Sequence, residues 1–212
     1  MTVLIGFAGL KRSGKDTAAE ALIRQGYHRE AFADLVRGML REFGLTEQEL
    51  TEGKDKPIPW LPGKTPRDLL LSLGTAWGRK RVDENIWPTL MARRLDRLPA
   101  DTPVVITDVR FENEADMIRA RGGLIIHVQR ETEPVWKRLW RRLTAHPSER
   151  GVKFKVGDHL VINSASKEDL WGWVNSIMMY ERAKASGDID QFIPQPHNLL
   201  RTTMKSEGKT HV

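Results

Sequence analysis

Apolar and β-branched residues gather in five short runs, at 3–8, 27–33, 104–108, 124–128 and 160–163, and stretches of helical period separate them. Short buried runs alternating with helices predict an α/β fold with a largely parallel sheet. Helix starts are marked by polar caps. Thr65-Pro66-Arg67-Asp68 joins a capping threonine, proline at the first helical position and an acid in the first turn. Ser166-Lys167-Glu168-Asp169 opens a helix with Leu170, Trp173, Val174 and Ile177 expected on one face. Between the second and third runs lies a long insertion, residues 42–100. Its proline-rich part, 54–64, is expected as loop, followed by helices over 66–80 and 84–98. Residues 184–212 are polar and unpatterned, as a loosely packed tail would be.

The first run leads into Gly9-Leu10-Lys11-Arg12-Ser13-Gly14-Lys15-Asp16-Thr17, which holds the pattern G-x-x-x-x-G-K between a strand and a helix expected from Thr17 to Gln25. That setting supports a phosphate-binding loop. Loop N–H groups and the positive end of the next helix attract phosphate oxygens. Lys15 adds a point charge, and Gly9 and Gly14 supply backbone angles and close approach. Asp16 stands where a Ser or Thr hydroxyl usually meets magnesium. Either Asp16 meets the metal, directly or through water, or another carboxylate compensates.

Composition narrows the setting. A chain of 212 residues fits one domain, and the absence of cysteine excludes a disulfide scaffold and a thiolate metal site. No apolar run approaches membrane-spanning length and no secretory signal is visible, so a cytoplasmic protein is expected. The formal charge is +6, and residues 130–155 carry eight Lys/Arg against three acids. Such a local excess fits a polyanion, either nucleotide phosphates or nucleic acid, or simply a solvated basic helix face.

Ligands of parallel α/β sheets bind beyond the carboxyl ends of the strands, and three such ends carry polar groups. One run ends in Asp108, a candidate for magnesium through water or for capping the helix before Glu112, with Arg110 next to it. Another ends in Asp34, read as a helix cap on the substrate side, with Arg37 one turn on. The third leads into the basic stretch, where Arg138, Arg141 and Arg142 share or flank one helix face and could close over a triphosphate. His28, His127, His146 and His159 are scattered without metal-ligand spacing. No nucleophile motif or paired acid–base carboxylates are evident. That suits attack by a phosphate monoester, which is mostly dianionic at neutral pH and needs no general base.

Taken together, these segments resemble the bacteriophage-type deoxynucleoside monophosphate kinases. The resemblance rests on the loop 9–17, on Phe32-Ala33-Asp34, and on Thr65-Pro66-Arg67 leading to Leu73-Gly74-Thr75-Ala76-Trp77-Gly78-Arg79. It continues through Asp83 to Trp87, Ile106-Thr107-Asp108-Val109-Arg110-Phe111-Glu112-Asn113-Glu114 and His146-Pro147-Ser148-Glu149. The aspartate after the loop lysine is also similar to phosphomevalonate kinases. The resemblance implies a P-loop NTPase-type three-layer sandwich with five mainly parallel strands. It implies a kinase domain over 1–183, with a substrate-binding insertion (42–100) and a lid (130–155).

Further, it implies ATP and Mg2+, with a deoxynucleoside monophosphate as acceptor. Gly9, Lys11, Arg12, Ser13, Gly14, Lys15, Asp16 and Thr17 would hold ATP, and Asp16 and Asp108 the metal. Asp34, Arg37, Arg67, Gly74, Thr75, Arg79 and Trp87 would frame the acceptor. Lys15, Arg110 and the lid arginines Arg138, Arg141 and Arg142 would be catalytic. Ala76 departs from the family pattern, in which an acid is expected at that place. No stable nucleic-acid or membrane partner is expected, and a homodimer is open. The competing readings are a kinase of another small phosphate ester and a DNA-associated P-loop ATPase.

Overall fold

Strand β1 (Leu4–Ala8) is buried along its whole length, which fixes it as a central strand covered on both faces. In the computed structural model, which describes residues 3–130, 151–164 and 166–188, it is joined by β2 (His28–Glu30), β3 (Val104–Val109), β4 (Leu124–Arg130) and β5 (His159–Asn163). The five strands form one sheet in the order β2-β3-β1-β4-β5. Every pairing is parallel, with Ile5 opposite Val105 and Leu124, Glu30 opposite Ile106, and Arg130 opposite Asn163. All five expected strands are present.

The helices are α1 (Lys15–Ile23), α2 (Phe32–Glu42), α3 (Glu47–Leu50), α4 (Pro66–Leu71), α5 (Ile86–Leu95), α6 (Glu112–Ala120) and α7 (Lys167–Ser186). Leu4 and Ala8 of β1 meet Phe32, Val36, Trp87, Met91, Ala115 and Ile118 in one core. Ile5 and Phe7 alternate with them along the strand and are buried on the opposite face. The sheet is therefore covered on both sides. A smaller core of Leu40, Leu45, Leu50 and Ile58 seats the insertion. Capping boxes at Thr46/Glu49 and Thr65/Asp68 start α3 and α4.

Several boundaries differ from expectation. α1 begins at Lys15 rather than Thr17, because Gly14 at φ 101 turns the chain straight into the helix. β2 ends at Glu30, because Ala31 becomes the N-cap residue of α2 and the next two N–H groups leave the ladder. The expected helix over 66–80 is α only to Leu71, and Ser72–Val82 winds as a π-helix of 11 residues. On α7, Leu170 and Val174 are buried as expected, whereas Trp173 is 44% exposed. Contacts divide the chain into Met1–Val174 and Asn175–Val212. The described part of the second unit continues α7 to Ser186 and ends at Asp188. No helix among the described residues is long and apolar enough to cross a membrane.

Candidate active site

The loop after β1 is shaped by contacts that exclude side chains. A Cβ at Gly9 would run into the Val128 carbonyl, and one at Gly14 would meet the Asn163 side-chain amide. The Ser13 N–H closes the turn onto the Leu10 carbonyl at 3.2 Å. Lys15, the first residue of α1, is buried and donates from Nζ to the same carbonyl at 2.7 Å. Burial, and then the charge of Arg110, lower its ammonium from 10.5 to about 8 against the pull of Asp16 and Asp108. Thus Lys15, Arg110, Asp16 and Asp108 share one electrostatic neighbourhood. Asp16 lies exposed in the first turn of α1.

Asp108 leaves the end of β3 and caps a helix, though not the one expected. Its two oxygens accept the N–H groups of Phe32 and Ala33, at 2.8 and 2.9 Å, at the start of α2. Burial raises its pKa, opposed by those two hydrogen bonds and by Arg110. The start of α6 is served by Glu114, whose Oε2 accepts from the N–H groups of Arg110 and Phe111, at 2.8 and 3.0 Å. Asp34 is not a cap either, because α2 starts two residues before it. Instead its carboxylate joins Arg29 at 2.7 Å to Arg37 at 3.0 Å. The Nε of Arg37 is buried, without a hydrogen-bond partner among the described residues.

The insertion brings further cations to this end of the sheet. Arg67 at the start of α4 pairs with Asp55 through both Nε and Nη2, and its N–H holds the Lys54 carbonyl at 2.9 Å. Lys54 is lowered by burial and then by the nearby charges of Arg67, Lys11 and Arg37. Four cations from the phosphate loop, α2, α4 and the loop before it are therefore close together.

The remaining expected residues lie on the π-helix and α5. Arg79 is committed to Glu114, with further bonds to the Glu84 carbonyl at 3.0 Å and Asn113 at 3.3 Å, and it lies 3.8 Å over the Phe111 ring. Burial pushes the Glu114 carboxyl up to about 7. Trp87 is 3% exposed and donates from Nε1 to the Gly74 carbonyl at 2.7 Å. Its ring occupies the space that a side chain at Gly78 would take. Thr75 is half-buried beside Gly74.

Lys15, Arg110, Asp16 and Asp108 thus come together, as do Lys11, Arg37 and Arg67. Arg79 and Trp87 are held in packing and ion-pair contacts. Arg138, Arg141, Arg142 and the 146–149 stretch lie outside the described residues. Sequence reasoning missed Arg29, Lys54, Glu114 and Asn163. Only Glu114 carried a local signal, three residues beyond a helix start.

A parallel sheet in this order, with a glycine-flanked loop leading from its first strand into a helix, defines a P-loop kinase fold. The family model for deoxynucleotide monophosphate kinase matches residues 64–174. A protein of Acanthamoeba polyphaga mimivirus assigned to the deoxynucleotide monophosphate kinases is 34% identical over 191 residues, covering 82% of this chain and 95% of that one. The chain belongs to the deoxynucleotide monophosphate kinase family. The deoxynucleoside-5'-monophosphate kinase of Escherichia phage T5 is 31% identical over 47% of this chain and 39% of its own. The alignment with the deoxynucleotide monophosphate kinase of Escherichia phage RB69 likewise spans 44% of that protein. Among solved structures, the dephospho-CoA kinase from Campylobacter jejuni matches with a TM-score of 0.51 and 16% identity. That match covers 87% of this chain and all of that one, and it shows the fold alone.

Proposed function

We propose that the protein transfers the γ-phosphoryl group of ATP to a deoxynucleoside 5'-monophosphate, giving ADP and the diphosphate. The observation that carries this reading is the pairing of two cation groups. Lys15 feels the charge of Arg110, and Lys54 of the insertion feels those of Arg67, Arg37 and the loop residue Lys11. Two phosphate groups held by these two sets would meet at the loop, and orienting them would supply much of the catalysis. An oxygen of the acceptor dianion forms the new bond to Pγ while the bond from Pγ to the β-bridging oxygen breaks. No proton has to be removed first.

Asp16 and Asp108 fit the metal. Mg2+ keeps several waters and is usually bound by one or two carboxylates plus substrate phosphates. Asp16 is exposed beside Lys15, and each Asp108 oxygen accepts one N–H, leaving a lone pair for a bound water. When bound, the ion neutralises charge that builds on the transferring phosphoryl oxygens. Residues 42–100 would serve as the acceptor-binding part and 130–155 as the lid, with Arg138, Arg141 and Arg142 meeting the phosphates.

The test is ADP release from Mg-ATP with the deoxy- and ribonucleoside monophosphates, phosphomevalonate, and single- and double-stranded DNA. Turnover with one or more deoxynucleoside monophosphates is expected. Turnover with phosphomevalonate alone, or stimulation by DNA alone, would overturn the proposal.

A further inference from the structure

The last residue of β5, Asn163, reaches across the sheet end to the phosphate loop. Its Nδ2 donates to the Ser13 carbonyl at 3.0 Å, and the same amide fills the space above the Gly14 Cα. The Ser13 carbonyl and the Gly14 N–H belong to one peptide plane and point in opposite directions. Fixing the carbonyl toward β5 therefore aims the Gly14 N–H away from β5. Among the described residues that N–H has no backbone acceptor. It is one of the unsatisfied donors that gather at a helix N-terminus and bind anions.

The glycine makes this contact necessary. Gly14 sits at φ 101, where a residue without Cβ has broad freedom, so the peptide before it has no steric lock of its own. Asn163 supplies one from outside the loop. The contact is itself anchored, because Asn163 pairs with Arg130 of β4 in the sheet. The segment that follows is also tied down. Ser166 and Asp169 bond each other's backbone N–H groups, and Trp171 Nε1 donates to the Thr17 carbonyl at 2.8 Å. The corner from β5 to α7 thus holds the loop and α1 at two points.

We propose that Asn163 is a positioning residue for ATP, holding the Ser13–Gly14 peptide so that the Gly14 N–H faces the phosphates. This rests on the loop being the ATP phosphate site. Asn163 touches protein backbone, not substrate, so its effect belongs to the phosphates rather than to the base or the acceptor.

The experiment is calorimetric binding of ATP, inorganic tripolyphosphate and a deoxynucleoside monophosphate to the wild type, Asn163→Ala and Asn163→Leu. Asn163→Leu keeps a similar volume and removes the donor without adding charge, so it serves where the gap left by Ala prevents folding. One lost hydrogen bond is expected to weaken ATP and tripolyphosphate together by about three- to ten-fold, with monophosphate binding unchanged. Equal weakening of the monophosphate would make Asn163 a general packing residue. Unchanged tripolyphosphate binding, whether ATP weakens or not, would overturn the proposal. Because binding is read without turnover, a wild type that binds ATP but phosphorylates no deoxynucleoside monophosphate would sink the kinase reading alone.

Discussion

Trp87 offers the sharpest test of how the insertion is built. An exposed indole near a nucleotide site invites a base-stacking role, but this ring is 3% exposed and its N–H is spent on the Gly74 carbonyl. Trp87→Phe removes that donor and part of the ring. A backbone carbonyl that loses its side-chain donor costs about 1–2 kcal/mol, and the partly unfilled space adds on the order of 1 kcal/mol. A total of about 2–3 kcal/mol lowers Tm by roughly 5–10 °C for a chain of this size. The loss falls on the segment that carries Gly74 and Thr75. The KM for every accepted monophosphate should therefore rise by a similar factor, with the KM for ATP unchanged. Thermal unfolding followed by circular dichroism, with initial rates well below Tm, reads both effects. An unchanged Tm with a KM increase confined to one base would show that the ring faces the base, and would refute the reasoning.

Other expectations concern charge. Lys15 sits at about 8 in the fold against 10.5 when free, so between those values the unfolded chain binds the extra proton and ligand-free stability rises with pH. Phosphate binding reverses the shift, so ATP should bind with proton uptake near pH 8 to 9, seen as a buffer-dependent enthalpy. Lys15→Ala should abolish both the uptake and turnover while staying folded, and uptake surviving in that variant would remove Lys15 from the phosphate site. Asp108→Asn, which turns an NH2 group toward one of the two α2 N–H groups and leaves it without an acceptor, should cost about 1–2 kcal/mol in urea unfolding. An unchanged midpoint would deny the cap. Asp16→Asn should raise the magnesium needed for half-maximal rate more than it weakens ATP binding, and an unchanged titration would assign the metal elsewhere. Glu114→Gln strands Arg79 in a buried site and should cost about 3–5 kcal/mol. A loss under 1 kcal/mol would mean Arg79 finds another partner.

The parallel sheet was legible because its strands are short apolar runs with helical stretches between them, a pattern written in neighbouring residues. The phosphate loop was legible for the same reason, since its glycines and lysine lie within seven positions of each other. What sequence could not show were pairings between distant segments. Asp108 was open to two roles, magnesium or the cap of the helix that follows it, and the helix it caps is instead α2, 75 and 76 positions away. The π-winding of Ser72–Val82 has no local signature, because it goes with the seating of Trp87 against Gly74 and Gly78. Arg29 and Lys54 were passed over because no local pattern marks Arg29 as the partner of Asp34, five positions on, or sets Lys54 among the charges of Arg67, Lys11 and Arg37.

The cations near the phosphate loop and the insertion share one electrostatic logic. Three of the cations assigned to phosphate already hold a protein acceptor: Lys15 the Leu10 carbonyl, Arg37 Asp34, Arg67 Asp55. Lys54 and the three like charges that act on it, Arg67, Lys11 and Arg37, would otherwise repel one another and weaken the insertion. In the proposed reaction the carboxylates would keep the site assembled without a ligand, and incoming phosphates would trade places with some of these partners or meet donors such as the Arg37 Nε, which has no hydrogen-bond partner among the described residues. Binding would then be an exchange rather than a condensation of mobile charges, and little ordering entropy would be spent at the proposed acceptor site. Specificity follows from the same arrangement. In that reading a monophosphate dianion would meet Arg37, Lys54 and Arg67 together, whereas a neutral nucleoside would leave Arg37 with Asp34 and Arg67 with Asp55 and gain nothing from entering.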